Sequence, residues 1–598
     1  MKKHFFIFTI ACALLTLSSC NDSYLDLLPE TQITKENFFK SQTDLEIYIQ
    51  NLYNFSSSGI YEADAGTDNA GTTGNNEMKN ILLGNVTAAN MTTGWDWEQL
   101  RKVNFFLENF RSAQVSEEVL AHYEGLARYF RARFYVAKVQ RFSDVPWIDQ
   151  VVNTNDEEIL TADRGTRAGT VEKIMEDFQY AADHVLDNAK AGQVGKWVVV
   201  QEFGRFALYE GTFRKYHNEL NLTNTADAFI TKSHQLSEQI IRSGKFAIHA
   251  TGNPDSDYGD LFFNQSLEGN REVIMGRFFA NNVLNASDWP GMFGNYEYYP
   301  LRDLMQNYLM KDGSFYTNQS GYQQFSFVQE FQNRDPRLSQ TYAYPGWELI
   351  YNSTYTQGVG IYVQQLAKNF SGYHQIKGFM NTTDQQVRYG TDVPIYRYAE
   401  VLLNYAEAKA ELGILTQDDL DISINPLRDR VAMPKMLMSQ VEDARLASQF
   451  PTITSSQKAL LLEIRRERRV ELALEGYRLN DIMRWNAGSL LEKMPEGIYF
   501  SGLGRHDVTG DGIPDIVLLP ANESIPVERE RNSLGRIMQY YRVGTYGQDV
   551  GVYLSEGTRG FVQTVERAST FEAPKYYYRP IPQDQVNLNN NLKQIFGW

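Results

Sequence analysis

The segment RRERRVELALEGYRLNDIMRW, from Arg465 to Trp485, constrains the fold more than any other stretch of this 598-residue chain. It carries six arginines, four of them within five positions. Such clusters commonly mark surfaces for nucleic acid or other polyanions. A solvated basic helix would set one apolar stripe against a charged face. Here Leu460, Leu461, Ile464, Val470, Leu472 and Leu474 surround the axis almost completely, the pattern of a helix covered on most sides. Glu463, Glu467, Glu471 and Glu475 recur every four residues, so like charges share a stripe and would destabilise the helix in isolation. Arg466 can pair with Glu463, and Arg468 with Glu471, at three-residue spacing. A covered helix with so many charges has to find partners on its neighbours, because a buried charge left unpaired is costly. The segment predicts an internal helix whose role is architecture.

The rest of the chain supplies a scaffold for it. A first helix is expected near Ser41–Asn54. Helical patterns then run in pairs, Trp97–Phe110 with Glu117–Phe142 and Val171–Leu186 with Val198–Leu220, followed by Asp227–Gly244. Pro394–Gly413 starts with Pro, repeats Ala and Leu at helical spacing, and stops at Gly. Aromatic and Ala positions recur within the pairs as in degenerate tetratricopeptide units, though without a strict period. Ser56–Asn76 is rich in Gly, Ser, Thr and Asp and reads as a long loop, functional or mobile. From about Thr251 to Thr391 the pattern gives way to Gly-, Tyr- and Asn-rich loops with short strands. The expected fold is mainly α: a tetratricopeptide-like superhelix with an irregular, loop-rich ligand-binding half. No linker divides residues 41–598, which read as a single body with an N-terminal part to about 250 and a C-terminal part from about 251.

The first residues, MKKHFFIFTIACALLTLSSC, read as an export signal. Lys2 and Lys3 precede a thirteen-residue apolar run, too short to span a bilayer comfortably. The ending LSSC resembles a bacterial lipobox, which makes residues 1–19 a signal peptide, Cys20 the lipidated first residue, and 20–40 a tether. The only other cysteine, Cys12, lies within the signal, so no disulfide is expected. No later segment offers eighteen consecutive apolar residues, so the chain is expected to be anchored to a membrane without spanning it. Its net charge of −16 deepens when the signal and its two lysines are removed. Such a surface repels nucleic acid and polyanionic polysaccharides at long range and favours neutral ligands.

Several blocks together resemble one family, the SusD/RagB outer-membrane nutrient-binding lipoproteins. Glu467, Arg468, Glu471, Leu472, Glu475, Gly476, Arg478, Asp481, Arg484 and Trp485 match that family's E-R-x-x-E-L-x-x-E-G-x-R-x-x-D-[LI]-x-R-W block. Further matches are YLD at Tyr24–Asp26, ARYFRARFYVAKVQRFSDVPWI at Ala127–Ile148, RDPRL at Arg334–Leu338, YRYAEVLLNYAEAKAELG at Tyr396–Gly413 and INPLRDRV at Ile424–Val431. YYYRPIP at Tyr576–Pro582 matches too, and NLNNNLKQIFGW at Asn587–Trp598 departs mildly from the usual Asn-Pro ending. The resemblance implies about four tetratricopeptide-like helix pairs and a lipid-anchored protein facing outward from the outer membrane. It also implies a partner, a TonB-dependent SusC-like barrel to which captured oligosaccharide, or sometimes peptide, is passed. It implies no catalysis. Consistently, the chain has no G-x-S-x-G, no H-E-x-x-H and no P-loop.

Sugars present flat C–H faces and many hydroxyls, so a binder needs exposed rings flanked by amides and carboxylates. A ring covering on the order of 60 Å² contributes roughly 1.5 kcal/mol, so several are required. Trp95, in a loop beside Trp97 at a helix start, is the first candidate platform, since two tryptophans one residue apart are not both expected to face the core. NASDWPGMFGNYEYYP offers Trp289, Tyr296 and Tyr298, together with Phe293 and Tyr299, in an irregular stretch. Trp347 and Asp68 complete the candidates. The one metal-like motif is HDVTGDGIPDI. Asp507, Thr509 and Asp511 occupy positions 1, 3 and 5 of a calcium loop, Gly512 the sharp turn, Ile513 a carbonyl position and Asp515 position 9. Leu518 stands where an EF-hand has its bidentate glutamate. A structural calcium ion is the only cofactor the motifs suggest, and none is required for binding.

Overall fold

A computed structural model describes residues 38–56, 58–263, 266–279, 297–350, 359–367, 369–384, 390–566 and 568–598. Cys20, Trp289, Phe293 and Tyr296 lie outside them. The principal helices are α1 Gln42–Gln50, α2 Glu77–Leu82, α3 Glu98–Asn109, α4 Glu117–Phe142, α5 Arg167–His184, α6 Lys196–Tyr216 and α7 Ala226–Arg242. After a long irregular stretch come α8 Tyr398–Glu411, α9 Ile424–Arg430, α10 Lys458–Glu471 and α11 Arg478–Arg484. Starts are set by side-chain caps where the sequence offers them. Ser41 and Asp44 form a capping box on α1, and the hydroxyls of Ser116 and Thr166 accept amides at the heads of α4 and α5.

The helices stack in the expected tetratricopeptide-like manner: α4 lies along α5, α6 along α7, and α8 is wedged between α7 and α10. One apolar core runs through them from Phe39 to Leu592. It therefore joins the first helices, the 398–485 helices and the last thirty residues. Much of the chain's unusual aromatic content is spent here. Tyr129 and Tyr135 are fully buried, and Phe178 stacks on Phe203 at 5.4 Å. No described helix is long and apolar enough to cross a membrane.

The irregular half holds twelve short strands, counted among the described residues. They are β1 Ala70–Thr72, β2 Val273–Arg277, β3 Tyr298–Pro300, β4 Glu348–Leu349, β5 Gly360–Ile361, β6 Val393–Arg397, β7 Glu496–Phe500, β8 Gly504–His506, β9 Ile516–Pro520, β10 Gln539–Gly544, β11 Val552–Tyr553 and β12 Gly560–Gln563. Four of them form the sheet β11–β10–β9–β8, in which β9, β10 and β11 run parallel and β8 returns antiparallel. The other strands pair two by two, β1 with β3, β2 with β6, β4 with β5 and β7 with β12, all antiparallel. A second core, rich in Tyr258, Tyr308, Tyr342 and Tyr373, lies beneath them.

Three expectations need correction. Pro394 does not open a helix. It lies in β6, in a pairing with β2 whose register is irregular, and α8 begins only at Tyr398. Glu475 is not on the helix that carries Glu463, Glu467 and Glu471. α10 stops at Glu471, and the chain turns through Leu474 and Gly476, both at positive φ. Finally, Ser56–Asn76 is not a free loop. Asp64, Thr67, Asp68, Asn69 and Ala70 are buried, and the segment contributes β1.

Candidate functional site

The arginine-rich segment organises the centre of the molecule. Its three glutamates, with Glu463 just before it, form a buried ladder met by arginines from three other motifs and by Lys377. Glu463 accepts from Arg428 at 2.6 Å, and Glu467 from Arg337 at 2.6 Å and Arg428 at 2.9 Å. Glu471 is reached by Arg430 at 2.5 Å, Arg397 at 3.0 Å and Arg337 at 3.1 Å. Glu475 takes Arg397 and Lys377 at 2.6 and 2.7 Å. Burial alone would raise the Glu471 carboxyl, yet Arg430, Arg397 and Arg337 hold it far below the usual range. Burial also brings the Lys377 ammonium down to about 8, against the pull of Glu475.

The arginines of the segment face other neighbours. Arg466 bonds Glu463 as the spacing predicts, and Asp443 besides. Arg468 does not pair with Glu471. It bonds Asp481 on α11 at 2.8 Å and Asn404 on α8 at 2.8 Å, because Glu471 already has three arginines. Arg469 and Arg478 reach back to the Asp64–Ala70 segment. Arg478 holds both oxygens of Asp68 at 2.7 Å, and Arg469 bonds Asn69 at 2.8 Å and Asp303 at 2.7 Å.

Above that anchorage opens a cleft of about 350 Å³. Its lining comes from both halves of the chain: Thr67, Asp68, Thr72 and Lys79, then Tyr299 and Asp303, then Leu490, Leu491 and Glu496. One wall is the β1–β3 pair, whose close approach depends on Gly71. A Cβ there would stand 2.3 Å from the Tyr299 ring. Most charges in the cleft are consumed internally. Lys79 donates to the carbonyls of Thr72, Thr73 and Gly74. Asp303 is surrounded by Arg469, Arg445 and Lys493. Glu496 has no ion pair among the described residues, and burial pushes its carboxyl up.

Part-exposed rings continue from this wall. Tyr299 meets Phe370 edge-on at 6.0 Å, and Arg302 stacks over Phe561 at 4.5 Å. Phe561 and Tyr499 face each other across β12 and β7 at 5.4 Å. Tyr546, 41% exposed, packs on Tyr553 at 4.7 Å and is near enough to Tyr299 to bear on its ionisation. Apart from Tyr299, sequence reasoning did not single out these rings. The others are scattered from Phe370 to Phe561 and form no cluster in the sequence.

The rings that the sequence did single out behave otherwise. Trp95 is 8% exposed, packed edge-on against Trp97 at 5.4 Å and Phe142 at 4.9 Å, and is a core residue. Both tryptophans turn inward because Lys138 donates to the carbonyls of Gly94 and Asp96 and folds the loop onto α4. Trp347, also 8% exposed, is drawn by the turn at Gly346 into a small core with Tyr362 and Phe379. Tyr298 is buried in β3, and Asp68 is the buried partner of Arg478 at the cleft floor. Trp289 and Tyr296 fall outside the described residues, in the segment that immediately precedes β3. Asp507, Thr509, Asp511, Ile513 and Asp515 form the turn between β8 and β9, and its three carboxylates converge.

Paired helices wrapped around one ionic centre, with an irregular half and a cleft lined from both, define a tetratricopeptide-like scaffold class that displays a site on loops. The chain belongs to the SusD family, whose model matches residues 261–598, and a second model described as starch-binding associating with outer membrane matches residues 23–207. Relatives include SusD-like protein P38 of Formosa agariphila, 22% identical over 80% of this chain and 90% of that one. SusD-like protein P2 of the same organism is 24% identical over 82% and 92%. Among solved structures, a SusD-like protein from Bacteroides fragilis superposes with a TM-score of 0.68 at 19% identity, covering 96% of this chain and all of the other. A SusD-like carbohydrate-binding protein from the same species gives 0.66 at 23%, covering 93% and 100%. A laminarin-binding SusD-like protein gives 0.55 at 14%, covering 94% and 100%.

Proposed function

We propose that the protein captures a neutral glycan in the cleft beside β1–β3 and delivers it to a TonB-dependent SusC-like transporter, performing no chemistry on it. In this reading Cys20 carries the lipid that holds the protein on the outer membrane, facing outward. The observation that carries the glycan assignment is the cleft with its surroundings: cations engaged internally, leaving apolar surface, hydroxyls and one carboxyl without an ion pair, and a run of part-exposed rings on the neighbouring strands. A polyanion would meet only two lysines in that lining, both already engaged, Lys79 by backbone carbonyls and Lys493 by Asp303. A neutral sugar would find ring faces and hydrogen-bond acceptors. Membership of the SusD family, and the carbohydrate-binding and laminarin-binding descriptions of proteins with the same fold, support the same reading.

Titration of the purified protein with oligosaccharide pools tests it. Neutral oligosaccharides should give heats of binding, and Tyr546→Ala should weaken the affinity about tenfold, since one lost ring face is worth roughly 1.5 kcal/mol. Shortened products after incubation would replace capture by hydrolysis, and binding confined to peptides would replace the ligand class. Delivery is tested separately, by co-purification of a large TonB-dependent barrel from outer membranes.

A further inference from the structure

The turn between β8 and β9 gathers Asp507, Asp511 and Asp515 so that one oxygen of each lies within 4.8 Å of the others. Backbone capping accounts for much of this. Asp507 Oδ1 accepts the amides of Thr509 and Gly510 at 3.0 and 2.7 Å, and its Oδ2 that of Gly512 at 2.8 Å. Asp511 Oδ1 accepts the Ile513 amide at 2.9 Å. Asp515 is different. Its Oδ2 takes the amides of Val508 and Thr509 and the Thr509 hydroxyl, but its Oδ1 is buried without a hydrogen bond. The residue is only 2% exposed, so water does not serve it from the surface. The nearest cation, Arg536, bonds Asp511 Oδ2 at 3.3 Å and stays 3.7 Å from Asp515 Oδ1. A buried carboxylate oxygen beside two more carboxylates, with no hydrogen bond and only a loosely placed guanidinium for charge, is an arrangement that a closer cation would complete.

We propose that Asp507, Asp511 and Asp515 form a calcium site, completed by the Ile513 carbonyl and water, and that Arg536 is the internal cation which calcium displaces. The donors are all hard oxygens, as calcium prefers. With calcium–oxygen distances of about 2.3–2.6 Å, two ligands on one ion cannot be more than about 5 Å apart, a limit that this triad meets. Magnesium demands a tighter octahedron and sheds its water reluctantly, so it fits a pliable turn less well. Gly512 makes the turn possible at a φ of +79°, and a Cβ there would be strained whatever the space. Thr509 drops out of the ligand set that the sequence suggested, because its hydroxyl is donated to Asp515. The ion would lock the four-stranded sheet: Asp515 donates its amide to the carbonyl of His506 at the end of β8, and its carbonyl accepts the amide of Gln539 on β10.

The test is calorimetry on chelator-stripped full-length protein, titrated with calcium chloride and, in parallel, magnesium chloride. One calcium per chain is expected, with magnesium at least tenfold weaker and the melting midpoint rising with free calcium until saturation. Asp511→Asn, at an exposed position, should keep the fold and lose at least tenfold in calcium affinity. Arg536→Gln should bind calcium as tightly as the parent or tighter. A stripped, folded protein that shows neither calcium heat nor a midpoint shift would overturn the site, as would Asp511→Asn binding like the parent. Weaker binding in Arg536→Gln would overturn the displacement.

Discussion

Single residues carry this structure through paired charge. Glu407 on α8 illustrates the sign of the effect. Burial alone would raise its carboxyl, but Arg484, bonded at 2.8 Å, brings it down to about 2 from an ordinary value of 4.5. A carboxyl whose folded value is depressed stabilises the fold fully above its unfolded value, and that contribution is lost as pH falls toward the folded value. The Glu407 contribution should therefore be constant above pH 5 and be lost between about 4.5 and 2, roughly 3 kcal/mol in all. Urea unfolding measured at several pH values should show Glu407→Gln less stable at pH 7 and less steep across that window. A variant as stable as the parent at pH 7 would show that the pair carries no net weight. The same scale explains what the sequence concealed about the cleft. Trp95 and Trp347 were singled out as large rings in polar loops, but one lysine and one glycine turn decide which way such a ring points, and neither leaves a mark in composition.

At the scale of elements, the helices were legible and the irregular half was not. Glu117–Phe142 is a helix with the bounds that its periodicity gives, and the covered character of α10 follows from the apolar residues around its axis. The charge stripe was legible too, as a demand for partners on other elements. Which arginine serves which glutamate was not, because three-residue spacing identifies only local pairs. Arg468 in fact bridges α10 to α8 and α11 through Asn404 and Asp481. Arg468→Ala should therefore loosen three helices together, costing roughly 3 kcal/mol by leaving Asp481 with Arg484 alone. Denaturation should report that loss, while glycan affinity per folded molecule stays unchanged; a stable variant with lost affinity would place α10 in the site. The strands of the cleft escaped because pairs of two to six residues give too little alternation to read, and their partners lie hundreds of positions away, as with β1 and β3.

Across the whole molecule, the two parts drawn at residue 250 share a core rather than dividing one. The last segment closes it. Tyr577, Tyr578, Ile581 and Leu592 pack among the first helices, Arg579 bonds Glu77 at 2.8 Å, and the Lys593 carbonyl accepts from Arg164 at 2.9 Å. Ending the chain at residue 570 should leave the face of α4 and α6 open and abolish a cooperative thermal transition, as scanning calorimetry would show. A truncated chain that still melts sharply would mean that the helical half is self-sufficient. The placement of that segment also sets a clock. A ribosome makes the N-terminal helices first, and the residues that seal them are added hundreds of positions later. Until those residues are made, the apolar faces of the N-terminal helices have nothing to cover them.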